Sequence, residues 1–386
     1  MKILRPFELI ILQPTSFCNI NCSYCYLSEM ERDTKGVMPD SILHKICESI
    51  FQSKYITLVD NARLTWHAGE PLVVGVGYYE KAIRIIKEYL PTNFNLRFEI
   101  VTNGLLINEK WCMFFKENNF DLALSIDGPK EIHDLYRKKR NGEGSFDLVM
   151  QKLKLLSDYD VKYTILTTIT SASLTKAKEL YDFYKSIGAK YVGVNFEEVL
   201  AFNEQSSLTD RKSEIYTFIE ELYSLTKNDT ELFIREFEER VSSILADNKE
   251  DSDGNINSIV MPLSILNFDK QGNFSTFSPE LLSLKNSYYG DFIIGNVMKD
   301  TLESALQSNK FHLINEDIVK GTAICKNTCE YYNICGGGAP SSRLSANGQN
   351  PYNGRLCASE TDNCIVSVKM IGDIIANDLL LTVANS

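Results

Sequence analysis

Cys18-Asn19-Ile20-Asn21-Cys22-Ser23-Tyr24-Cys25 puts three thiols on one short loop, just beyond the apolar run 9–12. Gaps of three and two residues let such a loop hold three irons of a four-iron cluster, leaving the fourth iron open for chemistry. A zinc knuckle is the competing reading, but it needs a nearby fourth Cys or His. The next candidates, His44 and Cys47, fall in an apolar helical pattern.

The chain has 386 residues, 44% of them hydrophobic, enough for one large core or a core with a small appended module. A net charge of -11 without a long Lys/Arg run argues against nucleic acid as a partner. The one basic cluster, Arg137-Lys138-Lys139-Arg140, reads either as an attraction for an acidic leader peptide or as a solvated loop with one functional arginine. Met1-Lys2-Ile3-Leu4-Arg5-Pro6 is too short and too broken for a signal peptide or a membrane span, so a cytoplasmic protein with no membrane partner is expected. In a reducing compartment ten cysteines point to metal ligation rather than disulfides. Eight of them form two sets, Cys18 to Cys25 and Cys325 to Cys364, while Cys47 and Cys112 sit among Ile46, Ile50, Met113 and Phe114 and read as core.

Around the cysteine loop, β-rich runs at 8–13, 63–67, 97–102, 122–126, 163–169 and 191–196 alternate with amphipathic stretches at 40–53, 77–90, 108–118, 146–158 and 173–187. Six strand-helix units predict a parallel sheet, either an incomplete barrel or a doubly wound sheet. Both architectures gather ligands at the carboxyl ends of the strands. The polar turns fall there: His67-Ala68-Gly69-Glu70-Pro71, Thr102-Asn103-Gly104, Ser125-Ile126-Asp127-Gly128-Pro129 and Asn195. Each alone is an ordinary turn; four at the edge that carries the cysteine loop predict one site.

These motifs together resemble the radical S-adenosylmethionine enzymes over about residues 8–200. The resemblance implies a partial (β/α)6 TIM-like barrel, a [4Fe-4S] cluster on Cys18, Cys22 and Cys25, and S-adenosylmethionine chelating the open iron. In that family, electron transfer into the sulfonium releases a 5'-deoxyadenosyl radical. Carried over, Tyr24 lies against adenine, Gly69 and Glu70 receive the amino group, and Asn103 or Ser125 contacts ribose or carboxylate. Arg137 pairs the carboxylate, and the backbone around Val194 and Asn195 reaches the adenine edge. Ala68 stands where the family's turn has its first glycine, adding a methyl group at a tight backbone position.

Beyond residue 200, two amphipathic helices are expected at 211–226 and 231–246, then an exposed loop at 247–258. Asp251-Ser252-Asp253-Gly254 is no calcium loop, because Lys249 and Val260 occupy ligand positions. Runs 263–268 and 273–277 flank Asp269-Lys270-Gln271-Gly272, a hairpin signal, and a helix is expected at about 300–310. Cys325, Cys329 and Cys335, then Gly336-Gly337-Gly338, Cys357 and Cys364, form a second ligand set, for zinc or for another four-iron cluster.

That segment resembles the SPASM extension of peptide-modifying members of the same family, whose typical hairpin ends in a cluster-ligating cysteine. Here Thr276-Phe277-Ser278-Pro279-Glu280 stands there. The resemblance therefore implies one auxiliary [4Fe-4S] cluster, on Cys325, Cys329, Cys335 and Cys357, with Cys364 as a spare or substitute ligand. The expected domains are a barrel over 1–200, a bridging region over 201–310 and an auxiliary-cluster domain with a C-terminal helix over 311–386.

Residues 275–281 and 335–340 look most like maturases that cross-link side chains of ribosomal peptides, including cyclophane formers. The expected function is hydrogen abstraction from a precursor-peptide side chain followed by cross-linking, with an electron donor of flavodoxin or ferredoxin type. Glu280 is the candidate base or substrate contact, against a solvated surface carboxylate. The alternatives are a sulfatase-maturing enzyme oxidising Ser or Cys to formylglycine, since such enzymes share residues 127–133, and a non-catalytic metal-binding interaction protein. No separate leader-binding domain is expected before residue 8.

Overall fold

The computed structural model describes residues 5–92, 94–246 and 257–384. The first four residues, and residues 247–256 with the Asp251-Ser252-Asp253-Gly254 sequence, lie outside the described residues.

Six parallel strands run in sequence order through one sheet: β1 (Arg5–Leu12), β2 (Ile56–Trp66), β3 (Arg97–Thr102), β4 (Asp121–Ser125), β5 (Thr164–Ile169) and β6 (Tyr191–Phe196). A doubly wound sheet reverses its order at a switch point. This one does not, so the choice falls to an open, singly wound partial barrel. β3 and β5 alternate a buried and a more open side, as in Arg97–Thr102, where Phe98, Ile100 and Thr102 are buried. The connecting helices bury one apolar stripe each, for example Ile42, Leu43, Ile46, Cys47 and Ile50 of Asp40–Phe51.

Between sheet and helices, Trp66 is wholly buried, with its ring 5.2 Å from Tyr79 and 5.5 Å from Phe120. Truncating such a side chain costs about 3–5 kcal/mol, so this aromatic cluster fixes the β2–β4 side of the barrel. Cys47 and Cys112 are buried in the core, as their neighbours in sequence implied.

The hairpin forms as expected, from β8 (Ile265–Phe268) and β9 (Asn273–Thr276), paired antiparallel. Asp269 organises its turn: Oδ1 accepts from the N–H groups of Gln271 and Asn273, and the carbonyl from Gly272 N–H. Its position was not legible, because β8 pairs parallel with β1 and so carries the hairpin onto the barrel sheet. At the opposite edge β7 (Phe233–Ile234) joins β6. The sheet thus continues past residue 200, and the hairpin end carrying Glu280 is brought beside the cysteine loop.

The helix expected at 300–310 is two elements, Leu302–Leu306 and the 20-residue Asn309–Thr328. Ser308 makes the break, its hydroxyl accepting from Phe311 N–H as an N-cap. Burial of Phe311, Ile314, Ile318 and Gly321 then carries the second helix to Cys325 in its last turn. Among the described residues no helix is long and apolar enough to cross a membrane.

Candidate active site

Beyond the carboxyl ends of the strands lies a cavity of about 380 Å³ lined by Cys18, Cys22, Cys25, Tyr24, Gly69, Glu70, Asn103, Ser125, Arg137, Asn195 and Glu280. One site residue expected from sequence is not on its wall: Val194 is buried, and its N–H donates to Glu236 Oε2 at 2.7 Å. Val194 thereby fixes the carboxyl half of β6, while Asn195 beside it reaches the cavity.

The cysteine loop is held from two sides. Glu70 N–H donates to the Phe17 carbonyl at 2.8 Å, and Gly69 packs so tightly that a Cβ there would stand 2.7 Å from Phe17 O and Ser16 C. With φ at +57° as well, position 69 requires glycine. Ala68 is also left-handed, at φ 70°, so the turn accepts at position 68 the strain of a methyl-bearing residue. On the other side, the Tyr136 and Lys138 carbonyls accept from Ser23 and Asn21 N–H, and Arg140 Nε donates to the Cys18 carbonyl at 2.8 Å. Arg137 and Arg140 are therefore turned onto the loop. Neither reading of the basic cluster describes them, because Arg137 holds the Asp127 carboxylate and Arg140 the Cys18 and Arg32 carbonyls.

Asp127 is the hub on that side. It is 1% exposed and accepts from Arg137 Nε at 2.9 Å, from Thr168 N–H at 3.0 Å and from the Tyr24 hydroxyl. Arg137 lies over the Tyr24 ring, 5.4 Å from its centroid, and its Nη1 donates to Cys22 Sγ at 3.9 Å. Asn103 Nδ2 donates to Cys18 Sγ at the same distance, and to Asn19 Oδ1 at 2.8 Å. Glu70 accepts from Thr102 Oγ1 at 2.6 Å, Asn103 N–H at 2.8 Å and Leu72 N–H at 2.9 Å. Burial outweighs these donors and raises its carboxyl to about 7.

Burial raises the thiols of Cys18 and Cys22 to about 12, and that of Cys25 in the same direction. Metal binding must displace those protons, and thiolate sulfurs would then gain the N–H donors of Asn103 and Arg137. Among the described residues no group of three or more His, Cys, Asp or Glu side chains is already gathered as for a metal ion. What the fold supplies is three free thiols on one loop and one cavity wall.

Tyr26 and His67 were not singled out from sequence as ligand-binding residues, yet both line the cavity with their rings stacked at 6.4 Å. Tyr26 Oη and His67 Nδ1 are buried without hydrogen-bond partners among the described residues, which suits a polar ligand between the turns. Burial lowers His67 to about 4, so its ring is neutral. Glu280 is no solvated surface carboxylate. It lines the same cavity, accepts from Ser341 Oγ at 3.2 Å and is raised by burial.

In the second set, Cys325 ends a helix, Cys329 caps it, and Cys335 closes the turn Tyr332–Cys335 before Gly336 at φ +65°. Cys364 accepts from Thr361 N–H at 3.3 Å. Cys335 and Cys364 share a cavity of about 630 Å³ with Gly337, Gly338 and Arg240, whose wall does not include Cys357. Arg343, 1% exposed, donates to the Ile318 and Leu356 carbonyls and to Thr322, while its Nε has no partner among the described residues. Burial lowers it, and the charges of Cys325, Cys335, Cys364 and Cys357 oppose that. A buried guanidinium needs anions nearby, and metal-bound thiolates at these positions would meet that need.

A site of this kind, three loop thiols facing polar turns at the strand ends, belongs to enzymes that hold an open-iron cluster against S-adenosylmethionine. The radical SAM superfamily description matches residues 12–184. An uncharacterized protein of Synechocystis sp. is 36% identical over 383 residues, covering 97% of this chain and 92% of its own. This chain belongs to the radical SAM superfamily, whose members use a [4Fe-4S] cluster with S-adenosylmethionine. The cysteine-type anaerobic sulfatase-maturating enzyme of Clostridium novyi is 28% identical over 359 residues, 87% of this chain and 88% of that one. The solved structure of native anSMEcpe with bound AdoMet superposes with a TM-score of 0.77 at 24% identity, covering 98% of this chain and all of that one.

These relatives correct the expected function. The cross-linking reading rested on short runs at 275–281 and 335–340, whereas similarity to the sulfatase-maturating enzyme extends over most of both chains. The physical reason is that those short runs contribute one residue, Glu280, to the barrel cavity, whose other lining residues all lie within positions 18–200.

Proposed function

We propose that this protein oxidises a Ser or Cys side chain of a protein substrate to formylglycine, a reading supported by relatives named as cysteine-type and serine-type anaerobic sulfatase-maturating enzymes. The observation that carries this reading is the match of 28% identity along 359 residues, covering 87% of this chain and 88% of that relative. Cys18, Cys22 and Cys25 hold three irons; Gly69, Glu70, Asn103, Ser125 and Arg137 receive the polar groups of S-adenosylmethionine; Tyr24 and Asn195 border its adenine. When bound, that pair supplies a 5'-deoxyadenosyl radical able to take a hydrogen atom from an unactivated carbon.

The protein's own task is to orient and to exclude water. Asp127 fixes Tyr24 and Arg137, Glu70 ties the turns after β2 and β3 together, and Tyr26 and His67 offer unpaired polar atoms. We assign one auxiliary cluster to the second cysteine set, a low-potential flavodoxin or ferredoxin as electron donor, and the cytoplasm as the compartment that keeps ten thiols reduced. The barrel, bridge and cysteine-rich segment are proposed as functional units over 1–200, 201–310 and 311–386.

The test is anaerobic incubation of the iron-loaded protein with sulfatase-motif peptides bearing Ser or Cys, with S-adenosylmethionine and a strong reductant. Aldehyde in the peptide and 5'-deoxyadenosine are expected together. A protein that binds zinc alone and releases no 5'-deoxyadenosine overturns the enzyme reading, while 5'-deoxyadenosine without aldehyde overturns the substrate.

A further inference from the structure

The outer edge of β6 is covered along only part of its length. Glu197 N–H donates to the Ile169 carbonyl at 2.9 Å, so odd-numbered residues at this end of β6 turn their backbone groups toward β5. The even-numbered ones turn theirs outward. On that outer side Phe233 N–H reaches the Lys190 carbonyl at 2.9 Å, β7 pairs with Tyr191 and Val192, and Glu236 takes Val194 N–H at 2.7 Å. Phe196 is next in the row. Among the described residues neither its outward N–H nor its carbonyl has a hydrogen-bond partner, although the residue is only 7% exposed.

The great majority of buried backbone groups in proteins are paired, so a free donor and a free acceptor on one buried residue mark a place for a ligand. The chain just beyond is held in position. Asn203 Nδ2 donates to the Glu198 carbonyl at 2.7 Å and Ser206 Oγ to the Glu197 carbonyl at 2.8 Å, so Phe196 is a fixed edge position and not a frayed strand end. Phe196 borders the cysteine-loop cavity and also a second cavity of about 540 Å³, walled by segments within 196–215 and 342–366. That volume is in the range of ligand pockets and far above the roughly 30 Å³ of one water. Leu208, Ile215 and Val366 give it an apolar floor. Walls on both sides of the edge fit one extended chain, not the sheet edge of a second copy.

Resting on the reading of a protein substrate oxidised in the barrel cavity, we propose that the substrate docks as an added strand on the outer edge of β6. Its backbone exchanges hydrogen bonds with Phe196 N–H and carbonyl, and alternate side chains enter the second cavity. Strand addition takes its affinity from main-chain groups and leaves sequence preference to the pockets beside the edge. Because Phe196 lies on the wall of both cavities, a chain paired there continues from the second cavity into the first, which delivers its target residue to the polar turns.

The experiment uses the full-length, iron-loaded protein and a sulfatase-motif peptide whose backbone amides are replaced by esters one at a time. An ester removes one N–H and keeps every side chain. Replacing the amide that meets the Phe196 carbonyl should raise KM about tenfold at unchanged kcat, roughly the worth of one backbone hydrogen bond, while the amides on either side of it, which face away, should matter less than about twofold. Amide hydrogen exchange, read at single residues without reductant, supplies a measurement independent of turnover. Saturating peptide should slow exchange at Phe196 about tenfold or more and leave Val194, already bonded to Glu236, unchanged. Aldehyde formation with no sensitive amide and no protection of Phe196 overturns this proposal alone. Protection that rises with protein concentration in the absence of peptide gives the edge to a second copy and overturns it too. Protection of Phe196 by the peptide without aldehyde upholds the docking edge and overturns the formylglycine reading, whereas neither protection nor aldehyde overturns both.

Discussion

The Tyr24 hydroxyl donates to the Asp127 carboxylate, joining the cysteine loop to the turn after β4 across 103 positions of sequence. Arg137 completes the arrangement by pairing with Asp127 while lying over the same tyrosine ring. Removing the cation would leave Asp127 buried and uncompensated. Arg137→Ala should therefore destabilise the protein by about 3–5 kcal/mol in urea unfolding, whereas Tyr24→Phe, which removes a hydroxyl and its bond, should cost about 1 kcal/mol. Equal and small effects would mean that the pair does not hold the loop.

Gly69→Ala tests the close approach between the turn after β2 and the loop before Cys18. A methyl group there meets backbone atoms at 2.7 Å, and backbone cannot rotate aside as a side chain does. The variant should bind less iron and melt lower, while Ala68→Gly, next to it, should keep its full iron content. Full iron incorporation by Gly69→Ala would show that the contact is dispensable.

Cysteine replacements separate ligands from filler. Ser in place of Cys18, Cys22 or Cys25 should abolish 5'-deoxyadenosine formation and remove about one four-iron cluster per chain. Cys47→Ser and Cys112→Ser bury an extra hydroxyl at sites 2% and 0% exposed, so they should lower stability by about 1–3 kcal/mol yet retain all iron. Iron loss from either core variant, measured on folded protein, would place a ligand where none is expected.

His133 gives the fold a pH dependence. It is 1% exposed; its Nδ1 accepts from Asp127 N–H at 3.3 Å and its Nε2 meets Ser145 Oγ at 2.9 Å, which assigns the neutral ring. Burial lowers it from 6.5 to about 4; the Asp127 charge opposes this and Arg137 assists. Between those values the unfolded chain binds the proton and the folded chain does not. The contribution is therefore fully present above about 6.5 and lost as pH falls toward 4, amounting to about 3 kcal/mol. Unfolding measured from pH 7 to 4 should show a shallower decline in His133→Asn than in the parent; parallel curves would refute the assignment.

Much of the barrel was legible because its signals are local. The runs that became β3 and β6 alternate or cluster apolar residues at strand spacing, and Gly69, Asp127 and Gly128 mark turns by their own backbone preferences. Cys18, Cys22 and Cys25 carry their chemistry in their spacing. The helix Asn309–Thr328 was missed because Ser308 ends one helical pattern and caps the next, which spacing alone does not separate.

The sequence by itself determined the parallel strand-helix order, the polar edge and the cysteine loop, since each depends on residues a few positions apart. Only the tertiary structure decided that the hairpin docks on β1, that Arg140 turns inward onto the loop, and that Tyr26 stacks on His67. It also brought Ser342 to Glu198 across 144 positions. Such pairings depend on which surfaces the curved, open sheet brings together, and a buried carboxylate acquires its proton affinity from those neighbours rather than from its place in the chain.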